Sequence, residues 1–269
     1  MEGKAEIGII GGSGFYSLLE SPRQLEGASR YGKPSAPLAL GKLEGRSVAF
    51  LPRHGYKHTI PPHKVPYRAN IEAMANAGVK RLIATSAVGS LSADYKPGEL
   101  VFFDQFVSMT HGRADTFFDE DTVVHVSSAD PYCPELRRVA IKVAKRMGIG
   151  FHDKGTVVVI NGPRFSSRAE SRFFSAQGFE LINMTQYPEV VLARERQICY
   201  LGIGMVTDYD AGLVGKKGIK PVSIAEVNRI FGENIGKVKE LIGKLLPEIP
   251  EKRNCTCGSA LEGAVATQK

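Results

Sequence analysis

Short, nearly continuous apolar runs recur along this chain, and each ends in glycine or a small polar residue. Residues 5–10 are mostly apolar, with three β-branched isoleucines, and lead into Gly11-Gly12-Ser13-Gly14, the pattern of a buried strand feeding a tight glycine turn. Residues 47–51 repeat the form and are followed by Arg53-His54-Gly55 and a proline-rich stretch at 61–66. Residues 81–85 end at Ser86-Ala87-Val88-Gly89-Ser90, and residues 100–103 and 155–160 are further runs of the same kind. Strands that are apolar without alternation are those covered on both faces, as in a mostly parallel sheet.

Helical spacing fills the intervals. A helix is predicted over residues 67–77, closed by Gly78. Another over 134–147 sets Leu136, Val139, Ala140, Val143 and Met147 on one face, with Pro134 suited to the first turn and Gly148 to the stop. Ser167 and Glu170 have capping-box spacing, as do Ser223 and Glu226 at the head of the clearest helix, where Ile224, Val227, Phe231, Ile235, Val238, Ile242 and Leu245 recur. Pro247 and Pro250 end it. This alternation, with no linker-like stretch, predicts one α/β domain over residues 1–250, built on a large mixed, mostly parallel sheet flanked by helices. The tail at 251–269 is polar and small, and is expected to be mobile unless Cys255 and Cys257 tie it down.

A chain of 269 residues that is 43% hydrophobic can bury a large core. No apolar run reaches the length of a membrane span, and no basic start precedes an apolar stretch, so neither a membrane segment nor a secretory signal is expected and the cytoplasm is the expected location. The formal charge of +7 favours anionic ligands and raises nucleic acid as a partner. Against nucleic acid, Lys and Arg are spread along the chain, the densest cluster (Lys216, Lys217 and Lys220) lies in a glycine-containing loop, and aromatic residues are not interleaved with basic ones. Cys133 and Cys199 stand apart in sequence and Cys255 and Cys257 are separated by one residue, so no metal site is expected. Pairing of Cys133 with Cys199, and of Cys255 with Cys257, is left open; the second bridge would close a small, strained ring.

The strand ends carry the candidate chemistry, as they do in open α/β sheets. Gly11-Gly12-Ser13-Gly14 offers backbone N–H groups and a hydroxyl but lacks the lysine of a phosphate-binding loop, and reads equally as a simple turn. Arg53 supplies a fork of donors and His54 a second possible cation, a pair suited to a phosphate dianion. Ser86 and Ala87 add a hydroxyl and a free amide. Thr207-Asp208-Tyr209-Asp210 taken alone is ordinary turn composition.

In combination these segments are more specific. Residues 8–14, 53–55, 86–90, 162–170, 183–189 and 207–210, in order and without large gaps between about residues 7 and 246, resemble the methylthioadenosine phosphorylases of the trimeric branch of the purine nucleoside phosphorylase family. The resemblance implies a phosphorylase/hydrolase-like fold and a homotrimer or dimer of trimers. It implies phosphate held by Ser13, Arg53, His54, Ser86, Ala87 and Thr185. The nucleoside would rest on Asn183 and Met184, with His58 and, from a neighbouring subunit, His125 near the five-prime end. The base would lie against Phe165 and Ser166, facing Asp208 and Asp210.

Family members that take 6-oxopurines have Glu where Ser166 stands here and Asn where Asp208 stands, so a 6-aminopurine is expected. The implied reaction is phosphorolysis of 5′-methylthioadenosine to adenine and 5-methylthioribose 1-phosphate, with adenosine and other purine nucleosides as further substrates. Asp208 would give a proton to the purine, its pKa raised by burial and by Asp210. Ile224 and Val227 would border the five-prime group, where an apolar wall discriminates by about 1–3 kcal/mol; their place on the core face of a helix explains them more economically. No metal or organic cofactor is implied, phosphate being a co-substrate. The loop at 211–222 is either a lid or a plain surface loop. Competing readings are a phosphorylase for inosine and guanosine, a hydrolase using water, and a non-catalytic nucleotide- or nucleic-acid-binding module.

Overall fold

Apolar runs bounded by glycine become strands here, and their residues divide between two large cores and a small third one of Leu91, Val158, Phe174 and Ile182. The computed structural model describes residues 4–12, 19–27, 29–213, 219 and 223–266. Its strands are β1 (Ile7–Gly11), β2 (Glu20–Leu25), β3 (Leu38–Leu43), β4 (Arg46–Pro52), β5 (Arg81–Ser90), β6 (Leu100–Phe102), β7 (Gln105–Met109), β8 (Phe151–His152), β9 (Thr156–Ile160), β10 (Leu181–Asn183) and β11 (Cys199–Tyr209). The helices are α1 (Tyr67–Asn76), α2 (Pro134–Met147), α3 (Arg168–Ala176), α4 (Gln186–Glu195) and α5 (Ile224–Leu245).

All eleven strands join one sheet, and six of its ten described pairings are parallel, so it is mixed and mostly parallel as expected. Successive side chains of a strand point to opposite faces. Accordingly Ile10, Leu82, Ala84, Tyr200 and Val206 enter the core beneath α1 and α4, while Ile7, Ile9, Ile83, Leu201, Ile203 and Met205 enter the core beneath α2 and α5. In β11, Gly202 and Gly204 leave space for the Phe103 ring, which a Cβ at either position would meet at 2.6 Å.

The predicted strands and helices reappear, with informative differences. Residues 86–90 extend β5 rather than following it, and β2, β3, β7, β10, β11 and α4 are elements the periodicity did not delimit. The tail does not hang free: Arg81 donates to the carbonyl of Glu251 at 3.0 Å, Cys257 is buried, and Val265 forms a β-bridge with Val124.

What positions the functional groups is a change of partners along β5. On one edge β5 is followed throughout by β11, from Cys199 opposite Arg81 to Tyr209 opposite Ser90. On its other edge β1 pairs only as far as Ala84, and β10 begins, antiparallel, at Gly89. Between them, Thr85 to Val88 has no strand partner on that edge among the described residues. It is the point in a wound sheet where chains diverge and a ligand can enter.

Candidate active site

Arg53, just past β4, reaches under this opening. Its backbone N–H donates to Gly11 O at 3.0 Å, and its guanidinium Nη1 donates to Thr85 O at 2.8 Å. The side chain is only 2% exposed, and it donates through Nε and Nη2 to both carboxylate oxygens of Glu189 at 2.7 Å each. Burial works against the guanidinium's charge, but Glu189 outweighs it, so its pKa stands above the ordinary value. One residue past Thr85, the Ser86 hydroxyl accepts from Asn183 Nδ2 at 3.3 Å, which ties the opening to the end of β10. Thr185, buried at the N-cap of α4, lies two residues beyond Asn183 and bonds back to its Oδ1 through the backbone. The structure thus gathers Arg53, Ser86, Asn183 and Thr185 around the open edge of β5, with Ala87 next in that strand. Ser13 falls outside the described residues; its neighbour Gly12 lies at the same end of the sheet, 3.8 Å from Phe231 of α5 if given a Cβ.

His54 lies half-buried beside Arg53. Burial, with the charge of Arg53 adding to it, lowers its pKa to about 4. Its Nδ1 lies 2.8 Å from the Ile60 carbonyl, which can only accept, so Nδ1 carries the proton and Nε2 is the acceptor. The His58 ring stacks on it at 4.7 Å, from a residue with φ of 52°.

Three residues farther along β5, roughly 10 Å at strand rise, Gly89 pairs with Asp208. A Cβ at position 89 would lie 3.2 Å from Asp208 Oδ2 and 3.6 Å from the Asp210 Cβ, so the glycine leaves both carboxyls room on one face. The turn reading for these two residues does not hold: β11 runs to Tyr209, Asp208 is 9% exposed and Asp210 2%. Burial, against a hydrogen bond from Thr207 and with help from Asp210, raises the Asp208 pKa to about 7. Thr207 Oγ1 donates to Asp208 Oδ1 at 2.8 Å, and the buried Ser166 hydroxyl donates to Asp210 Oδ2 at 2.5 Å. Ser166 is brought here by the loop between β9 and α3. Helix α3 begins where the sequence placed it, in a reciprocal capping box of Ser167 and Glu170. Phe165, one residue earlier, presents a ring 37% exposed.

Met184 stands between Asn183 and Thr185 and meets the loop that leads to Ser166. Gly162, at φ +63°, faces it so closely that a Cβ would sit 2.4 Å from its sulfur, and Arg113 Nη2 donates to its carbonyl at 2.9 Å. Two apolar positions differ from expectation: Ile224 is 63% exposed and Val227 half-buried, because α5 first packs against the core at Phe231 and is fully buried only from Asn234 onward. They are not core positions; they precede Phe231 on the stretch of helix that approaches the Gly12 turn. His125 is exposed on a segment whose backbone N–H donates to Ala264 O at 2.8 Å, and no described contact joins its side chain to the other candidates. Most of the 211–222 loop, including Lys216, Lys217 and Lys220, lies outside the described residues.

Sequence reasoning missed four contributors. Glu189 and Tyr200 anchor Arg53, Gln186 Nε2 approaches Ser86 Oγ at 3.5 Å, and Arg113 holds the Met184 carbonyl. Glu189 had a readable signal, a lone acid in the apolar run Pro188-Glu189-Val190-Val191-Leu192-Ala193, since an acid on a buried face needs a partner.

The cysteines also converge despite their spacing. The four sulfurs lie within 4.8 Å of one another and, among the described residues, form the one cluster able to hold a metal. All four are free thiols. The cluster sits at the start of β11, nine residues and roughly 30 Å of strand from Asp208, and has no part in the site above. No described helix is long and apolar enough to cross a membrane.

Residues 6–247 match the model of the phosphorylase superfamily. The chain is 53% identical to an S-methyl-5′-thioadenosine phosphorylase of Thermofilum pendens over 97% of its length and 99% of the relative's. It is 51% identical to the enzyme of that name from Pyrococcus abyssi, over 96% and 98%. Among solved structures, it superposes with a TM-score of 0.92 on a methylthioadenosine phosphorylase from an antarctic soil metagenomic library, at 38% identity over 99% of this chain and 94% of the other. The Schistosoma mansoni methylthioadenosine phosphorylase in complex with adenine gives a TM-score of 0.89 at 33% identity, over 98% and 99%.

Proposed function

The chain belongs to the phosphorylase superfamily, and on that footing we propose that it cleaves 5′-methylthioadenosine with inorganic phosphate to give adenine and 5-methylthioribose 1-phosphate. Adenosine and other purine nucleosides are secondary substrates. The observation that carries the reading is the placement along β5 of an anion-binding end, with Arg53 and Ser86, and a carboxyl end, with Asp208 and Asp210 flanking Gly89. Their separation of roughly 10 Å along the strand suits a phosphate, a ribose and a purine lying in sequence.

In the reaction a phosphate oxygen bonds to the anomeric carbon as the bond from that carbon to the purine breaks, and the bonding pair leaves with the base. Positive charge grows on the ribose and negative charge on the purine. Phosphate held by Arg53, Ser86, Ala87, Thr185 and Ser13 is both nucleophile and counter-charge, so positioning and preorganised electrostatics carry the acceleration. Asp208 meets the base. A protonated carboxyl donates to nitrogen seven of adenine and accepts from its six-amino group, whereas a 6-oxopurine would set a carbonyl oxygen against the acid's acceptor. The raised pKa of Asp208 therefore favours the aminopurine.

Other features belong to the same proposal. Met184 and Asn183 line the ribose, with His58 at its five-prime side. His125, exposed and unconnected to the site of its own chain, serves the neighbouring subunit of a homotrimer or dimer of trimers. Ile224 and Val227 face the methylthio group, which accounts for an apolar helix start left exposed. Phosphate needs no metal or organic cofactor to act, and the protein works in the cytoplasm. The four clustered thiols are near enough to pair on oxidation.

The reading is tested by offering 5′-methylthioadenosine, adenosine, inosine and guanosine, each with and without phosphate, and following release of free base. Phosphate-dependent cleavage with 5′-methylthioadenosine preferred is expected. Rapid guanosine cleavage with methylthioadenosine untouched, or full activity in phosphate-free buffer, would overturn it.

A further inference from the structure

We propose that Glu189 is the positioning residue of the phosphate site: from α4 it aims and locks the Arg53 guanidinium, and the Tyr200 hydroxyl holds Glu189 in turn. This rests on the phosphorolytic reading above. Arg53 donates side-on to both oxygens of Glu189 at 2.7 Å, the bidentate geometry that fixes the plane of a guanidinium. Tyr200, on β11, donates to Glu189 Oε1 at 2.8 Å, so the carboxylate is itself held from a second element. A third contact, Nη1 to Thr85 O at 2.8 Å, pins the guanidinium to the open edge of β5 beside Ser86.

Among the described residues these contacts take three of the five guanidinium N–H groups, leaving one on Nη1 and one on Nη2 for an incoming oxyanion. Such a fork is already oriented when phosphate arrives and gives up no rotamer freedom on binding. A purely structural role is a poor account of the arrangement. Glu189 is 0% and Arg53 2% exposed, and desolvating two charges gains little that apolar side chains of the same volume would not supply. The same helix that carries Glu189 opens at Thr185, so α4 contributes a phosphate contact and the brace for the principal cation.

The test measures steady-state kinetics, varying phosphate and nucleoside independently, in Glu189→Gln and Tyr200→Phe. Glutamine preserves shape but sets an amide N–H₂ against one guanidinium N–H group; phenylalanine removes the hydroxyl and leaves the carboxylate's charge. We expect kcat/KM for phosphate to fall by about tenfold or more in Glu189→Gln and by several-fold in Tyr200→Phe, with KM for the nucleoside changed by less than about twofold. If Glu189 acted only by tempering the charge of Arg53, Glu189→Gln would raise kcat/KM for phosphate and Tyr200→Phe would leave it alone. If it acted only in the fold, thermal stability would drop with kinetic constants intact. Either result overturns the proposal. Should Glu189→Gln not fold, Tyr200→Phe alone decides. A wild-type enzyme without phosphate dependence would instead sink the functional reading.

Discussion

Replacing Asp208 with asparagine should cost the protein most of its turnover and make it more stable, with a gain that depends on pH. The Asp208 pKa is raised from an ordinary 3.8 to about 7, chiefly by burial. In the unfolded chain the carboxyl loses its proton near the ordinary value; in the folded protein it keeps it until about pH 7. Across that window the folded state holds the extra proton, so stability falls as pH rises and the loss is complete above the folded pKa. At roughly 1.4 kcal/mol per pH unit, the ionised carboxylate in this surrounding costs about 4 kcal/mol. Asparagine never ionises, and its side-chain oxygen still accepts the Thr207 hydroxyl that Asp208 accepts now at 2.8 Å.

The gap in stability between Asp208→Asn and wild type should therefore widen by about 2–3 kcal/mol from about pH 5 to about pH 8, which is a relative Tm gain of about 5 °C in a chain of this size. Thermal unfolding of the ligand-free proteins at the two pH values measures it. A pH-independent offset reports only the packing of the new side chain, and would refute the claim that Asp208 is a buried acid that stays protonated. The kinetic counterpart is a loss of wild-type turnover on adenine nucleosides as pH rises through about 7. Turnover of Asp208→Asn is expected to be lower by about 10²–10⁴-fold, and without that limb.

Arg53→Ala strands the buried Glu189 carboxylate and should cost about 3–5 kcal/mol; Arg53→Met with Glu189→Leu should recover stability in a urea melt without recovering phosphate-dependent turnover, and recovery of turnover would refute the phosphate role. Gly202→Ala presses a methyl to within 2.6 Å of the Phe103 ring and 2.7 Å of Gln186 Oε1. Overpacking of that kind costs about 1–3 kcal/mol, and an unchanged Tm would show that the site relaxes freely. Under oxidation the thiols should pair, and peptide mapping of unreduced protein tells whether Cys133 meets Cys199 and Cys255 meets Cys257; four alkylatable thiols after oxidation and unfolding would exclude both bridges.

How much of this was legible in the residues follows from the range of the forces involved. Local signals survived intact: Ser167 and Glu170 mark the start of α3 because the capping box is made within four residues, and Pro134 and Gly148 bracket α2 for the same reason. The central strands were visible because both faces are covered and their middles are runs of apolar residues, as in residues 82–84 of β5 and 48–51 of β4. By contrast β2, whose residues are exposed apart from the half-buried Leu25, owes its form to backbone pairing with β3, which leaves no mark in hydropathy. Ile224 followed the helical period yet lies in water, since periodicity names a face and cannot say where along a helix the core ends. The buried setting of Asp208 and the convergence of the cysteines depend on β11 lying along β5, a contact between residues more than a hundred positions apart. Arg53 and Ser86 could be nominated from the ends of apolar runs, but Glu189 and Tyr200 could be assigned to Arg53 only through packing.

Charge at this site is arranged so that the reactants supply what changes during the reaction. The guanidinium of Arg53 is answered by Glu189 before any ligand binds. His54 stays neutral down to about pH 4 and, with its Nδ1 proton engaged by Ile60, turns an acceptor rather than a donor toward its surroundings. Asp208 keeps its proton up to about pH 7. On the proposed reading, an incoming phosphate would meet oriented donors whose positions are already set, and the purine would meet an acid that can release a proton as negative charge gathers on the base. Burial alone would disfavour both the cation and the carboxylate. The fold offsets the first with an opposite charge and gives the second, among the described residues, only the Thr207 hydroxyl, and on the proposed reading that difference separates a residue that holds charge from one that transfers a proton.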